Sequence, residues 1–289
     1  MYNESFGSSV KRGFMGLPIA IRTIIGLNLV VYLIQVFGQI FGGSAFSNML
    51  INGFAFYPEL LTTVFQPWRL FTYMFLHAGA WHLVFNMLWL WWMGRAVEET
   101  LGPRSFTVIY LGSGIGGALL DVIFAQFLGI NYVIGASGAV FGIMVAFAVL
   151  YPTMPIHLFL LPPIEARYVV AGLIALNLLA LGGDSNVAHI VHLGGAGIGY
   201  LLMKARQGGF NLGGVIQPLE NIWLELKGAY KEKESAPRNK DMYSVSDVEI
   251  IEEVEQSELD DILEKISEKG YDALTKEEKK KLFELSKKN

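Results

Sequence analysis

One serine and several histidines stand in contexts where their types and spacing could do chemistry. Gly135-Ala136-Ser137-Gly138 is a tight glycine turn that opens an apolar run, so it puts a hydroxyl at the positive end of a helix, where amides can stabilise a developing oxyanion. His189-Ile190-Val191-His192-Leu193-Gly194-Gly195 opens another apolar run whose two histidines could each supply the imidazole that activates a hydroxyl. In His77-Ala78-Gly79-Ala80-Trp81-His82-Leu83-Val84-Phe85-Asn86, His82 and Asn86 are four apart and share a helical face as two donors suited to an oxyanion hole. Trp68-Arg69 lies just ahead of them.

Taken singly, each feature other than Ser137 is more often structural. Small residues with a lone serine commonly mean close helix packing, a span histidine can simply bond a carbonyl, and Trp/Arg pairs are ordinary interface anchors. Ser113 has glycine neighbours too but sits within a run, without helix-start geometry, and reads as packing. Asp121 is a carboxylate inside an apolar run and is assigned no role. His157 falls in a loop and reads as solvated.

These residues must be positioned by helices in lipid. The 289 residues are 53% apolar and only 17% charged, below the share of about a quarter usual in soluble domains. Residues 1–219 hold 7 of the 26 carboxylates and 9 of the 22 Lys/Arg, so the remainder of the chain faces a different solvent. Apolar runs at 19–41, 81–97, 106–128, 137–151, 168–181 and 187–203 read as six membrane helices. The fourth is short: at 1.5 Å per residue it covers about 22 Å of a core of about 30 Å, which submerges Ser137 below the outer surface if the run ends at the inner one. Gly138 and Gly142 on the fourth run, and Gly195 and Gly199 on the sixth, form small-xxx-small faces that let the two helices approach and bring an imidazole to the serine.

With the N-terminus cytoplasmic, the inner flanks carry Lys11, Arg12, Arg22, Arg95, Arg104, Arg167, Lys204 and Arg206, and the outer side Arg69 alone, so the positive-inside rule sets the orientation and an even number of spans returns the C-terminus to the cytoplasm. The loop 42–80 is long, apolar and reads as interfacial, as does 152–163. Residues 207–256 read as a linker with an acidic, flexible stretch. In 257–289, Leu259, Ile262, Leu263 and Ile266 share a helical face, Gly270 suits its C-cap, and Thr275 with Glu278 makes a capping box, so the tail reads as a small soluble helical hairpin. The absence of cysteine excludes disulfides, thiol catalysis and zinc–thiolate sites, and the net charge of −4 gives no footing for nucleic acid. No secretory signal peptide is evident.

In this order and topology the motifs resemble those of the rhomboid family, over roughly residues 15–205. The family's tryptophan–arginine pair matches Trp68-Arg69, its His-x4-His-x3-Asn span matches His77, His82 and Asn86, its G-x-S-G turn matches Gly135–Gly138, and its catalytic histidine with following glycines matches His192, Gly195 and Gly199. Glu98 is similar to the family's structural glutamate at the end of the second span. The resemblance implies an all-α membrane protein with a six-helix bundle in which residues 19–206 form the protease domain, 1–18 precede it in the cytoplasm, and the tail follows. It implies Ser137 as nucleophile, His192 as base and then acid, a dyad without the third carboxylate of soluble serine proteases, and an oxyanion hole of His82, Asn86 and the Ser137 amide. His192 is preferred over His189 because the family's glycines follow it at the matching spacing. His77, Gly135, Trp68 and Arg69 fall in supporting places, and so does Phe141, where some relatives carry a tyrosine that stacks on the histidine. The family implies cleavage of single-span or multi-span membrane protein substrates in the lipid bilayer, no metal or other cofactor, a bacterial cytoplasmic membrane location, and a moving gate made by the fifth span and the loop 182–186. The rival expectations are a non-catalytic rhomboid-like protein that binds membrane clients and, more distantly, a transporter, which the lack of paired internal repeats disfavours. No partner for the tail is legible.

Overall fold

The computed structural model describes residues 13–128, 132–157, 162–181 and 189–226, with single positions or short stretches at 262, 264–266, 274, 275 and 279. The loop 182–186, the acidic stretch of the linker and most of the hairpin expected over 257–289 lie outside the described residues. Two compact units divide the chain, Met1–Trp223 and Leu224–Asn289.

In the first unit, helix α1 runs Ile19–Phe54 with a bend at Gly43, whose φ of 60° is a left-handed conformation that a side chain would resist. Helical structure therefore continues through Phe54, well into the segment 42–80 read as a loop. Two short helices follow, α2 Leu60–Phe65 and α3 Arg69–Thr72, and then a 3-10 turn, Tyr73–Phe75. Helix α4, Ala80–Leu128, is two arms joined at Gly102 (φ 78°, ψ 162°) with Pro103 beginning the second arm. Glycine just past a helix end and proline just inside the next follow from glycine's access to positive φ and from proline's missing N–H. The second and third apolar runs are thus consecutive arms with no intervening loop. Helix α5 spans Ser137–Leu150, a two-residue hairpin pairs β1 (Pro155–Ile156) antiparallel with β2 (Ile164–Glu165), and α6 (Ala166–Leu179) and α7 (His189–Gln207) follow. The stretch read as interfacial at 152–163 contributes the first strand of that hairpin, and the second follows directly after it.

Among the described residues the architecture is all-α apart from this hairpin and an isolated bridge between Phe56 and Val133. Among the described residues two helices are long and apolar enough to cross a membrane, Ile19–Phe54 and Ala80–Phe124, and the apolar α5 and α6, at 14 residues each, are about 21 Å long and shorter than a bilayer core. The outer faces of α1 and α4 expose Leu29, Val30, Leu33, Phe37, Trp81, Phe85 and Leu88, as suits helices solvated by lipid.

Between lipid-bathed helices no hydrophobic force acts, so association rests on contact distance and hydrogen bonds. Helices α5 and α7 cross backbone on backbone: a Cβ on Gly195 would collide with Gly138 O, and one on Gly199 would lie 2.6 Å from Gly142 Cα. A Cβ on Gly142 would also strike the Ser113 side chain, which is fully buried on α4. Glu98, buried on α4, accepts hydrogen bonds from Ala20 N and Ile21 N, each at 2.8 Å. It caps α1 in trans, satisfying amides that Pro18, the residue at the cap position, cannot.

Residues 207–226, read as the start of a flexible linker, carry regular structure. Asn211 Oδ1 accepts from Gly214 N at the head of a 3-10 turn, Leu212–Val215, with Leu212 buried. Helix α8, Gln217–Leu226, places Glu220 against Arg104 at 2.7 Å. In the second unit, Ile262 and Leu274 are buried, and Lys279 N donates to Thr275 O at 3.1 Å.

Candidate active site

Ser137 is the first residue of α5, and the turn before it is held from two sides. Phe56 N donates to Val133 O (3.0 Å) and Val133 N to Phe56 O (2.8 Å), while Gly135 N donates to Tyr73 O (2.9 Å). Gly135 has φ 124°, and a Cβ there would sit 2.7 Å from His82 Nε2, so both conformation and space require glycine. Val140 N bonds Ala136 O as the first helical bond, which leaves the amides of residues 137–139 without an intrahelical acceptor at the helix end that carries the hydroxyl.

His192, on α7, reaches this hydroxyl: Nε2 lies 2.6 Å from Ser137 Oγ. Its ring stacks on Phe141, one turn after Ser137, with centroids 4.8 Å apart and planes 13° from parallel. His189 does not share this place. Its Nδ1 bonds Asn177 Oδ1 on α6 at 2.9 Å, and its ring meets that of His192 edge-on at 6.2 Å. His192 Nδ1 bonds the same Asn177 Oδ1 at 2.7 Å. Asn177 belongs to none of the sequence motifs, although a full-sized polar side chain inside an apolar run is itself a signal of function.

On α4, His82 Nδ1 accepts from Ala78 N at 3.4 Å, an arrangement that leaves the hydrogen on Nε2, the atom beside Gly135. Asn86, buried one turn on, donates one amide hydrogen to His82 O at 2.9 Å and keeps a second to give. His77 is buried with its ring edge-on to His82 at 5.0 Å, and neither of its ring nitrogens has a hydrogen-bond partner among the described residues. Its backbone is held by the side chain of Gln35 of α1, which donates to His77 O (3.2 Å) and accepts from His77 N (3.0 Å). Gln35, too, was not anticipated.

Trp68 and Arg69 hold the polypeptide that precedes the site. Trp68 Nε1 donates to Gly53 O at 3.1 Å, and the buried Arg69 donates to Ala55 O at 2.6 Å and to Asn52 O while lying over the Tyr57 ring. Because Ala55 adjoins Phe56, these bonds fix the strand-like contact to Val133 and so reach the serine turn. Asp121 is fully buried and neither carboxyl oxygen has a hydrogen-bond partner among the described residues, and His157 is exposed.

Within a bundle of apolar helices, a serine at a helix start thus lies hydrogen-bonded to a histidine on a neighbouring helix. The Rhomboid domain family matches residues 64–206, and a family of unknown function (DUF6576) matches residues 252–288. The chain is 32% identical over 200 residues to "Rhomboid protease AarA" of Providencia stuartii, covering 63% of this chain and 70% of that protein. It is 33% identical over 180 residues to "Rhomboid protease GluP" of Bacillus subtilis, covering 62% and 33%, and 37% identical over 137 residues to "RHOMBOID-like protein 1" of Arabidopsis thaliana, covering 47% and 34%. The chain therefore belongs to the rhomboid family. It spans about a third of the length of the Bacillus and Arabidopsis relatives.

Proposed function

We propose that the chain is an intramembrane serine endopeptidase that hydrolyses peptide bonds in or near the transmembrane segments of single-span or multi-span membrane proteins. The observation that carries this is the 2.6 Å contact between His192 Nε2 and Ser137 Oγ at the start of α5. Ser137 Oγ attacks the substrate carbonyl carbon and its proton passes to His192 Nε2. The tetrahedral oxyanion is met by the Ser137 amide, His82 Nε2–H and the second Asn86 amide hydrogen. His192 then protonates the leaving amine, and a water activated by the same imidazole releases the acyl group from Ser137. Gly135 lets the turn close against His82, Phe141 keeps the imidazole ring in its plane, His77 packs behind His82, and Trp68 and Arg69 hold the loop that anchors the turn.

In this reading six helical segments cross the bilayer: 19–42, 80–101, 103–128, 137–150, 166–179 and 189–207. Residues 19–206 form the protease domain, 1–18 and the tail are cytoplasmic, and the membrane is the bacterial cytoplasmic one, with the orientation resting on the charge bias of the loops. A substrate helix hides its carbonyls in its own hydrogen bonds and must unwind before attack, so helix-weakening residues near the scissile bond favour cleavage. The test is purified full-length chain with a single-span substrate. Wild type cleaves it and Ser137→Ala does not; wild type that binds the substrate without cutting it would leave the client-binding alternative in place of the protease.

A further inference from the structure

Helix α6 contributes one polar side chain to the serine–histidine pair, and its bonding determines where the protons lie. Asn177 Nδ2 is 2.9 Å from Leu173 O, one turn earlier on the same helix. A carbonyl only accepts, so the nitrogen end of the amide faces Leu173 and the oxygen end faces α7. That oxygen lies 2.7 Å from His192 Nδ1 and 2.9 Å from His189 Nδ1. An amide oxygen also only accepts, so both Nδ1 atoms carry hydrogen. A neutral His192 protonated at Nδ1 has its lone pair on Nε2, the atom 2.6 Å from Ser137 Oγ. This is the tautomer a general base needs.

We propose that Asn177 is a positioning residue that completes a Ser137–His192–Asn177 triad, selecting the Nδ1–H tautomer of His192 and fixing the ring toward the hydroxyl. The proposal rests on the reading of Ser137 and His192 as nucleophile and base. When Nε2 takes the serine proton, Nδ1 keeps its own, and the amide oxygen solvates the imidazolium without adding a second charge to a low-dielectric site. His189 fills the other lone pair of Oδ1 and so holds the amide in register; this gives the rival histidine a place one bond removed from the chemistry. A triad with asparagine in the third position needs no carboxylate in the membrane, where an ionised one is costly.

The experiment uses full-length protein and two readouts. In kinetics on a single-span substrate, Asn177→Leu, close in volume but unable to accept, lowers kcat by about 10–100-fold with KM within about threefold, short of the roughly 10⁴-fold loss where a wrong tautomer is enforced. Asn177→Asp, which keeps an acceptor, retains activity within about tenfold of wild type. In ¹⁵N-histidine NMR, with the His192 signal assigned by its absence in His192→Gln, wild type shows the Nδ1–H form and Asn177→Leu shows a mixture. A wild-type His192 in the Nε2–H form, or an Asn177→Leu protein with wild-type kcat and an unchanged tautomer, overturns the proposal. An Nδ1–H His192 in a wild-type protein that cleaves nothing would support the positioning and instead sink the protease reading, so the two failures are distinguishable.

Discussion

Helix α7 is held on its two sides by different means. Toward α5 it lies backbone on backbone, with Gly195 against Gly138 and Gly199 against Gly142. Toward α6 the Asn177 oxygen takes bonds from His192 and His189. Packing through glycine fixes the distance between the helices that carry Ser137 and His192, because there is no side chain to deform. A hydrogen bond fixes something packing cannot, the rotation and protonation of a ring. The serine–histidine pair therefore depends on steric exclusion for its separation and on polar contact for its alignment, and the two dependences can be broken separately.

The largest expected effect comes from the steric side. Gly195→Val puts branched atoms where Gly138 O already lies, so the helices must separate, and overpacking of this kind typically costs about 1–3 kcal/mol or more. Cleavage falls below detection even in the fraction that inserts and folds; a folded Gly195→Val protein with wild-type kcat would show that the crossing does not set the serine–histidine distance.

Next in size is the oxyanion hole. Asn86→Ala lowers kcat by about 10²–10³ while KM changes little, because a donor aimed at a developing charge acts mainly in the transition state. The bond from Asn86 to His82 O offers a competing, purely structural account. Measuring kcat, KM and melting temperature on one preparation separates them: full turnover with a lowered melting point removes Asn86 from the hole.

The smallest effect is expected away from both contacts. Glu98→Ala strips two charge-assisted bonds from the head of α1 and costs about 1–3 kcal/mol, read as a lowered melting temperature, with turnover per folded molecule within a few-fold of wild type. A large kcat loss with unchanged melting would mean that the cap reaches the site.

The same contrast explains what the sequence disclosed. Glycine faces have a period, so the approach of α5 to α7 was legible from Gly138, Gly142, Gly195 and Gly199, and the turn at Gly135 announced a helix start at Ser137. Side-chain hydrogen bonds between distant segments have no period. Asn177 and Gln35 stood in plain view as polar residues in apolar runs, but their partners lie 15 and 42 positions away. The link between Phe56 and Val133 joins a loop to a turn by backbone alone, which no side-chain pattern encodes. The helical extension of α1 past Gly43 was hidden because a glycine pair reads as a stop, and the structure uses it as a bend.

The most direct test of the central claim, that His192 activates Ser137, is covalent labelling of the full-length protein by a serine-directed fluorophosphonate. Wild type should label, Ser137→Ala should not, His192→Ala should label far more slowly, and His189→Ala should keep a substantial part of the wild-type rate. Equal labelling of wild type and Ser137→Ala, or a His189→Ala protein that fails while His192→Ala succeeds, would contradict it.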